Sequence, residues 1–183
     1  MTGPKQEAHM LTADVKKTIR EVPDFPKSGI TFYDLSTLFR NAKAFRSTMD
    51  RLVERYKGDR LDALAGIESR GFVVAAAMAY ALGVGVVMLR KPGKLPWETE
   101  GEDYVLEYGT ARLEVHRDAV TEGQRVLIVD DLLATGGTSA AARRLLERLG
   151  ARVDGFAFLV ELTFLHGRAK LEGSNVFSLV QYS

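Results

Sequence analysis

The most informative gap in this chain of 183 residues is cysteine, of which it has none. Disulfides, thiolate nucleophiles and cysteine zinc sites are excluded together. A cysteine-free chain suits a reducing compartment, so we expect a cytoplasmic location. The three histidines, His9, His116 and His166, do not fall at metal-ligand or nucleophile-base spacings, and we assign them no role.

An excess of charge of one sign is also missing. The chain has 25 Lys and Arg against 24 Asp and Glu, a formal net charge of +1. No broad positive field is available for nucleic acid, so we expect no such partner, and any anion site must be local. Neither a GxxxxGK[ST] stretch nor a GxGxxG after a strand is present, which argues against a P-loop or a dinucleotide site.

Long apolar runs are scarce as well. Met1 to Met10 is polar, so we expect no secretory signal. Gly71 to Leu89 is uncharged and about as long as a bilayer requires. Gly83 and Gly85 interrupt it, however, so a helix, a turn and a strand explain it better than a membrane span. We therefore expect no membrane association.

The chain is organised around Arg125 to Thr138, RVLIVDDLLATGGT. Its apolar run, Val126 to Val129, is typical of a strand buried on both faces of a parallel sheet. The run ends on Asp130 and Asp131, two carboxylates that repel each other and suit hydroxyl groups or a cation. A small-residue turn follows, and then a helix over Ser139 to Leu149. Such a strand, turn and helix can cradle a phosphate with free N–H groups at the helix N-terminus.

This stretch closely resembles the 5-phosphoribosyl-1-pyrophosphate (PRPP) motif of the type I phosphoribosyltransferases, and its LLATGGT ending resembles the adenine phosphoribosyltransferases. The resemblance extends from Pro23 to Tyr182. It implies a doubly wound α/β fold with a mainly parallel sheet, in a single domain over residues 1–183. Within that domain it implies a hood mainly over 1–35, a core over about 36–183 and a flexible lid over about 90–116.

Other patterns predict the remaining elements. Helices are expected over Thr12 to Val22, Ala42 to Tyr56, Phe72 to Leu82 and Phe164 to Leu171. Strands are expected over Asp62 to Ile67, Val84 to Leu89, Val153 to Val160 and Val176 to Val180. Tyr104 to Tyr108 and Thr110 to His116 suggest a hairpin, preceded by an acidic, mobile lid tip over residues 97–103.

The resemblance implies specific roles at the PRPP site. The 5′-phosphate would be held by the turn residues Ala134, Thr135, Gly136, Gly137 and Thr138. Asp130 and Asp131 would hold the ribose hydroxyls or the water shell of a metal.

The pyrophosphate group would be held by residues that follow two strands: Ser69, Arg70, Arg90, Lys91 and Lys94. The sequence itself also favours an anion beside Arg70. A cation at a helix start is destabilised by the helix dipole unless an anion lies nearby.

The base site and the catalytic group follow from two further segments. PDFPKSGITFYDL resembles the family's hood over the base, with Phe32 as the aromatic face and Thr31 and Tyr33 reading the base edge through their backbones. Relatives often have Arg where this chain has Tyr33. FLVELTFL places Leu162 against the base. YVLEYG resembles the lid segment with the catalytic glutamate, so Glu107 is the candidate, assisted by Arg70, with Tyr108 beside it.

The reaction implied is adenine plus PRPP giving AMP and pyrophosphate, a purine salvage step, in a homodimer. Mg²⁺ would bridge ribose and pyrophosphate oxygens and keep several waters rather than an all-protein cage. The 6-oxopurine transferases usually have Asp where Ala134 stands, which favours adenine. Two alternatives stay open: a transferase for hypoxanthine, guanine or xanthine, and a non-catalytic regulator that senses PRPP and binds nucleic acid.

Overall fold

The computed structural model describes residues 12–106 and 109–183. The chain divides into two compact units, Met1–Arg51 and Leu52–Ser183. The N-terminal unit begins with helical residues 12–18 (α1). It continues with β1 (Arg20–Val22), β2 (Phe32–Asp34), α2 (Ser36–Arg40) and the greater part of α3 (Ala42–Tyr56).

The N-terminal unit corrects one prediction, the helix over Thr12 to Val22. That helix stops early, because Arg20–Val22 pairs as an antiparallel strand with Phe32–Asp34. The loop between these strands is fixed by a hydrogen bond of 2.7 Å from the Gly29 N–H to the Asp24 carboxylate. Long-range pairing therefore overrides the local helical periodicity. The sequence patterns also missed the short α2 helix.

The C-terminal unit supplies the remaining elements. In chain order they are β3 (Ala63–Ile67), α4 (Arg70–Leu82), β4 (Gly85–Leu89), β5 (Thr99–Leu106), β6 (Gly109–His116), β7 (Arg125–Leu133), α5 (Gly137–Arg148), β8 (Arg152–Leu162) and β9 (Val176–Tyr182). The segment predicted as a helix over Phe164 to Leu171 is instead two 3₁₀ turns, Thr163–Leu165 and Gly167–Leu171.

Within the described residues, the central sheet has five strands in the order β4-β3-β7-β8-β9. All neighbouring strands are parallel. From β3 the chain passes through α4 to β4, toward one edge of the sheet. From β7 it passes through α5 to β8, toward the other edge. The strand order therefore reverses between β3 and β7, the place where open α/β sheets bind ligands. The predicted doubly wound α/β fold is confirmed.

The sheet is buried on both faces. On β7, Val126, Leu127, Ile128 and Val129 are all 1% exposed or less. One face packs against α5 and the β5–β6 hairpin, and the other against α4. Gly66 on β3 allows α4 to approach closely, since a Cβ at this position would lie 2.9 Å from Cβ of Ala75. These contacts fix where the loops at the carboxyl ends of the strands begin.

Strand β7 is longer than the sequence predicted. Its pairing with β3 stops at Gly66 and Val129, but its pairing with β8 continues to Leu133 and Glu161. The two acids after Val129 thus lie within a strand that has lost a neighbour on one side only. The apolar run alone could not reveal this, because the extra pairing depends on the length of β8.

The predicted hairpin is confirmed, but its acidic residues are not at a loop tip. Strand β5 pairs with β6 from Thr99 opposite His116 onward. Glu102 accepts hydrogen bonds from Arg144 (2.6 Å) and Arg148 (2.7 Å) of α5, and these bonds hold its carboxyl pKa below the usual range. Cross-strand pairing and α5 arginines thus order the acidic stretch.

No helix in residues 12–106 and 109–183 combines the length and apolar character needed to cross a membrane. The uncharged stretch considered above forms α4 and β4.

Burial predicts how substitutions at β7 affect stability. Ile128 is 0% exposed, whereas Ile30 in the N-terminal unit is 45% exposed. We expect Ile128→Ala to lower the free energy of unfolding by about 2–5 kcal/mol through lost burial and a cavity. The matched change Ile30→Ala should cost less than about 1 kcal/mol. Urea unfolding followed by circular dichroism measures both, and equal losses would contradict the assignment of β7 to the core.

Candidate active site

A cavity of about 350 Å³ lies at the reversal of strand order. It is lined by residues 67–70, which lead from the end of β3 into α4, and by residues 130–132 of β7, Thr138 of α5, Lys91 and Tyr104. The paired acids, the start of α4 and the start of α5 thus face one space. This is where the sequence analysis expected substrate to bind.

The start of α4 lies directly against β7 because residue 71 is glycine. A Cβ on Gly71 would lie 2.8 Å from Oδ1 of Asp130 and 2.9 Å from the carbonyl oxygen of Val129. Both distances are shorter than a normal van der Waals contact, so a side chain here would push α4 away. Gly71 therefore brings Ser69 and Arg70 to the two acids.

The two acids form a closely spaced pair of like charges, in which Asp131 is buried and Asp130 is partly buried. Asp131 is 5% exposed, and its N–H donates to Oδ1 of Asp130 at 2.9 Å. Burial, together with the charge of Asp131, raises the pKa of Asp130 well above its usual range. Burial also raises the pKa of Asp131, although the charge of Arg70 opposes that rise.

Arg70 only partly compensates the pair. Its Nε lies 2.8 Å from Oδ2 of Asp131, yet among the described residues that oxygen accepts no hydrogen bond of favourable geometry. Oδ2 of Asp131 therefore lacks a well-aligned hydrogen-bond donor, and one guanidinium faces two carboxylates. Ligand hydroxyl groups would supply donors, and a hydrated cation would also supply positive charge.

The donor set fits a metal that is only partly held by protein. In the described part of the chain, no group of three or more His, Cys, Asp or Glu side chains could hold an ion. Two adjacent carboxylates with an unsatisfied oxygen suit Mg²⁺, which usually keeps several waters and binds through one or two carboxylates plus substrate oxygens. Asp130 and Asp131 are the residues that could serve it.

The turn that was predicted to hold the 5′-phosphate, Ala134–Thr138, joins β7 to α5 and contains two glycines. It is called the phosphate turn below. Gly136 adopts a left-handed conformation (φ 76°) as the N-cap of α5, and the first turn of this helix contains no acidic residue. A Cβ on Gly136 would also overlap the carbonyl oxygen of Gly167. Anions are stabilised at such a helix start by free N–H groups and by the helix dipole.

The five predicted pyrophosphate residues are only partly brought together. Ser69, Arg70 and Lys91 line the cavity. Arg90 instead contacts Glu68, with Nε 3.3 Å from Oε2, and donates to the carbonyl oxygen of Lys94 at 2.8 Å.

Glu68 organises this loop. Its Oε2 also accepts the Lys91 N–H at 2.9 Å. That hydrogen bond, followed by the charge of Arg90, holds the pKa of Glu68 below its usual range. A charged carboxylate therefore orders the loop at the edge of the cavity.

The predicted catalytic Glu107 and its neighbour Tyr108 lie outside the described residues. The hairpin on either side of them is described, and it comes close to the phosphate turn. A Cβ on Gly137 would lie 3.4 Å from the carbonyl oxygen of Val105 and 3.8 Å from both Lys170 Nζ and the Tyr104 ring. The end of β5 thus lies next to the start of α5.

The predicted adenine residues belong to different units. Thr31, Phe32 and Tyr33 lie in the N-terminal unit, and the Phe32 ring packs edge-on against Phe25 with centroids 5.3 Å apart. Burial, followed by the charge of Glu21, raises the pKa of Tyr33. Leu162, the last residue of β8 in the C-terminal unit, is 8% exposed.

Sequence reasoning gave no role to Glu68 and Tyr104, which line the site cavity, or to Lys170, which lies beside the start of α5. Tyr104 also lines a second cavity of about 350 Å³ over α5, together with Gly137 and Lys170. Glu68 could have been suspected from its place beside Ser69 at the carboxyl end of β3. No local signal marks Tyr104 or Lys170, because their positions depend on tertiary packing.

Comparison with known proteins agrees with this geometry. A family profile described as the phosphoribosyl transferase domain matches residues 36–176. An adenine phosphoribosyltransferase of Chloroflexus aurantiacus is 56% identical over 173 residues, covering 94% of this chain and 100% of that protein. The match thus includes most of both units.

Solved structures give the same result. The crystal structure of adenine phosphoribosyltransferase from Thermoanaerobacter pseudethanolicus has a TM-score of 0.91 at 53% identity, covering 93% of this chain and 99% of that chain. The Saccharomyces cerevisiae enzyme, complexed with adenine and an imino-altritol bisphosphate, has a TM-score of 0.88 at 40% identity, covering 94% and 99%. The chain therefore belongs to the phosphoribosyl transferase family and, within it, to the adenine phosphoribosyltransferases.

Proposed function

We propose that this protein transfers the 5-phosphoribosyl group of PRPP to adenine and releases AMP and pyrophosphate. The observation that carries this proposal is the cavity at the reversal of strand order, where the acid pair Asp130 and Asp131, Arg70 and the start of α5 meet. A ribose with phosphate groups on both sides needs such a combination of hydroxyl acceptors and anion sites. The reaction makes a bond from carbon 1 of the ribose to a ring nitrogen and breaks the bond to pyrophosphate.

The phosphate turn is the proposed site of the 5′-phosphate. Its Gly136 geometry and the acid-free first turn of α5 support this assignment. Thr138 adds a hydroxyl group that lines the same cavity as the acids. Ala134, Thr135 and Gly137 complete the turn, and their small size keeps the backbone accessible to an anion.

Asp130 and Asp131 are proposed to bind the ribose hydroxyls or the water shell of Mg²⁺. Two observations support this role: among the described residues Oδ2 of Asp131 accepts no hydrogen bond of favourable geometry, and the charge of Asp131 raises the pKa of Asp130. When bound, Mg²⁺ supplies positive charge that stabilises the departing pyrophosphate. Ser69, Arg70 and Lys91 are proposed to bind pyrophosphate from the protein side, with Arg90 and Lys94 joining after Arg90 leaves Glu68.

Catalysis of the proton transfer is assigned to Glu107. Asp is usual at the position of Ala134 in the 6-oxopurine transferases, so a different carboxylate must take the proton of the five-membered ring as the neighbouring nitrogen attacks. Glu107 belongs to the proposed lid, residues 90–116, whose β5 strand ends beside the phosphate turn. Tyr108 would accompany it.

Recognition of adenine is proposed to involve Phe32 as an aromatic face, the backbones of Thr31 and Tyr33, and Leu162. Backbone groups that complement an amino edge are left unpaired by a 6-oxo edge, which reverses donor and acceptor. Tyr33 pairs in register with Glu21, so its backbone position is defined by β1.

A homodimer is the proposed assembly. Four apolar side chains lie exposed on the α4 side of the sheet: Val73 (43%), Tyr80 (92%), Val86 (43%) and Met88 (48%). The last two belong to β4, which is an edge strand. A second copy would remove this apolar surface from water.

We also propose a cytoplasmic location, because folding of this cysteine-free chain requires no oxidising compartment.

The first test of function is base specificity. The wild type should form AMP from PRPP and adenine with a higher kcat/KM than it shows with hypoxanthine or guanine. Glu107→Gln should lower kcat by roughly 10²- to 10⁴-fold, the usual contribution of a positioned general acid or base. PRPP affinity should change less, because the substitution preserves shape and removes only the proton acceptor.

The control for that experiment is Glu122→Gln, an exposed acid outside the proposed site and lid, which should keep wild-type rates. Equal use of hypoxanthine would refute the adenine assignment. An unchanged kcat for Glu107→Gln would refute only the proton-transfer role of Glu107. If the wild type formed no product with any base, the proposed enzymatic activity would be refuted.

Removing charge from the acid pair should impair turnover without unfolding the protein. We expect Asp130→Asn and Asp131→Asn each to lower kcat by roughly 10²- to 10³-fold and to raise the Mg²⁺ concentration needed. Thermal unfolding should change little for Asp130→Asn, because it relieves repulsion in the pair. The control is Asp154→Asn, near the start of β8 and outside the cavity. Wild-type rates at limiting Mg²⁺ in both Asp130→Asn and Asp131→Asn would contradict these roles.

The dimer proposal is tested at Tyr80. Tyr80→Glu puts a charge into the apolar surface and should shift the protein from dimer to monomer in sedimentation velocity. Trp97→Glu, at another exposed aromatic residue (68%), should leave the dimer intact. A wild type that sediments as a monomer, or a Tyr80→Glu dimer as tight as the wild type, would overturn the proposed interface.

A further inference from the structure

Behind the phosphate turn, two backbone segments touch with no side chain between them. A Cβ on Gly136 would overlap the carbonyl oxygen of Gly167, and a Cβ on Gly167 would overlap the carbonyl oxygen of Ala134. The turn therefore lies directly on the 3₁₀ segment Gly167–Leu171. Any shift of this segment toward the turn or away from it would therefore move the backbone of the turn.

Arg168 ties this segment to the sheet. Its Nε donates to Oε1 of Glu161 at 2.6 Å, and its Nη2 donates to Oε2 of the same residue at 2.7 Å. Its Nη1 donates to the carbonyl oxygen of Val176, the first residue of β9, at 2.9 Å. A planar guanidinium held at three points has little freedom, so the adjacent Gly167 is held in place as well.

The partner carboxylate is buried and fully engaged. Glu161 is 3% exposed and also accepts hydrogen bonds from the side chains of Ser178 and Gln181. Burial raises its pKa, but the hydrogen bonds from Arg168 and Ser178 outweigh this effect and hold the pKa below its usual range. The carboxylate thus stays charged and keeps attracting Arg168.

Glu161 is also connected to the turn by strand pairing. In the β7–β8 register it lies opposite Leu133, the residue immediately before Ala134. The Glu161–Arg168 pair therefore supports the phosphate turn twice. It does so through the strand that leads into the turn and through the glycine packed behind it. Neither side chain lines the substrate cavity.

We infer that Arg168 and Glu161 are positioning residues for the phosphate turn, setting the placement of Gly167 and hence the distance between the turn's N–H groups and a bound 5′-phosphate. This inference rests on the proposed function, which assigns that phosphate to the turn. It predicts a selective defect: ligands that carry the 5′-phosphate lose affinity, while pyrophosphate does not.

The experiment measures both directions of the reaction. Arg168→Gln should raise the KM for PRPP, and the KM for AMP in the reverse reaction, by about tenfold to 100-fold, since small misplacements of binding groups have effects of this size. The KM for pyrophosphate should stay within about twofold of wild type. Arg168→Lys keeps the charge but loses the two-point contact, so its values should fall between those of Arg168→Gln and wild type.

The matched control is Arg125→Gln. Arg125 pairs with Asp154 and joins β7 to β8 at the ends of these strands that lie far from the phosphate turn. It should lower thermal stability as Arg168→Gln does, but leave the KM values for PRPP and AMP unchanged. The double variant Arg168→Gln with Glu161→Gln should show no greater defect than Arg168→Gln alone, because the two residues act as one unit.

Two results would overturn the inference in an active enzyme. One is a folded Arg168→Gln protein with wild-type KM values for PRPP and AMP, and the other is an equal rise in the KM for pyrophosphate. If Arg168→Gln does not fold, Arg168→Lys and Ser178→Ala must show the same selective pattern, and its absence there also overturns it. A wild type that makes no AMP would refute the proposed function instead.

Discussion

The close approach of α4 to β7 at Gly71 is the constraint on which the site depends. A side chain there would collide with Asp130 and with the carbonyl oxygen of Val129. Without one, the helix start brings Arg70 to within 2.8 Å of Asp131. A positive side chain, a buried carboxylate (Asp131) and a partly buried one (Asp130) thereby share one space. The energetic cost of removing the acids from water is only partly offset. The site retains a capacity for ligand that a fully satisfied ion pair would lack.

Much of the C-terminal unit could be predicted from the sequence, because its strands are short apolar runs separated by helices with clear periodicity. The family resemblance added which segments of the chain were expected to bind phosphate, pyrophosphate and base. The N-terminal unit was harder. Arg20–Val22 continues a helical pattern in the sequence, but its backbone bonds are satisfied by Phe32–Asp34, a partner that no local pattern identifies.

The site shows the same division. Asp130, Asp131 and the phosphate turn follow each other in the chain, so the sequence placed them together correctly. Glu68 follows β3 directly, whereas Tyr104 belongs to β5 and reaches the cavity only through the packing of the hairpin. The interaction of Arg90 with Glu68 likewise depends on tertiary structure, since the two residues are 22 positions apart. Local sequence thus identifies the chemistry better than the residues that organise it.

The hairpin between β4 and β7 has a further consequence for how this fold can vary. Its two strands pair from their outer ends, Thr99 opposite His116, so the hairpin begins and ends at nearly the same place. Adding or removing residue pairs at the far end would leave the strand order and the β3–β7 register untouched. Lengthening or shortening the hairpin would therefore change how far it extends over the start of α5. The reach of the hairpin and the integrity of the sheet can evolve independently.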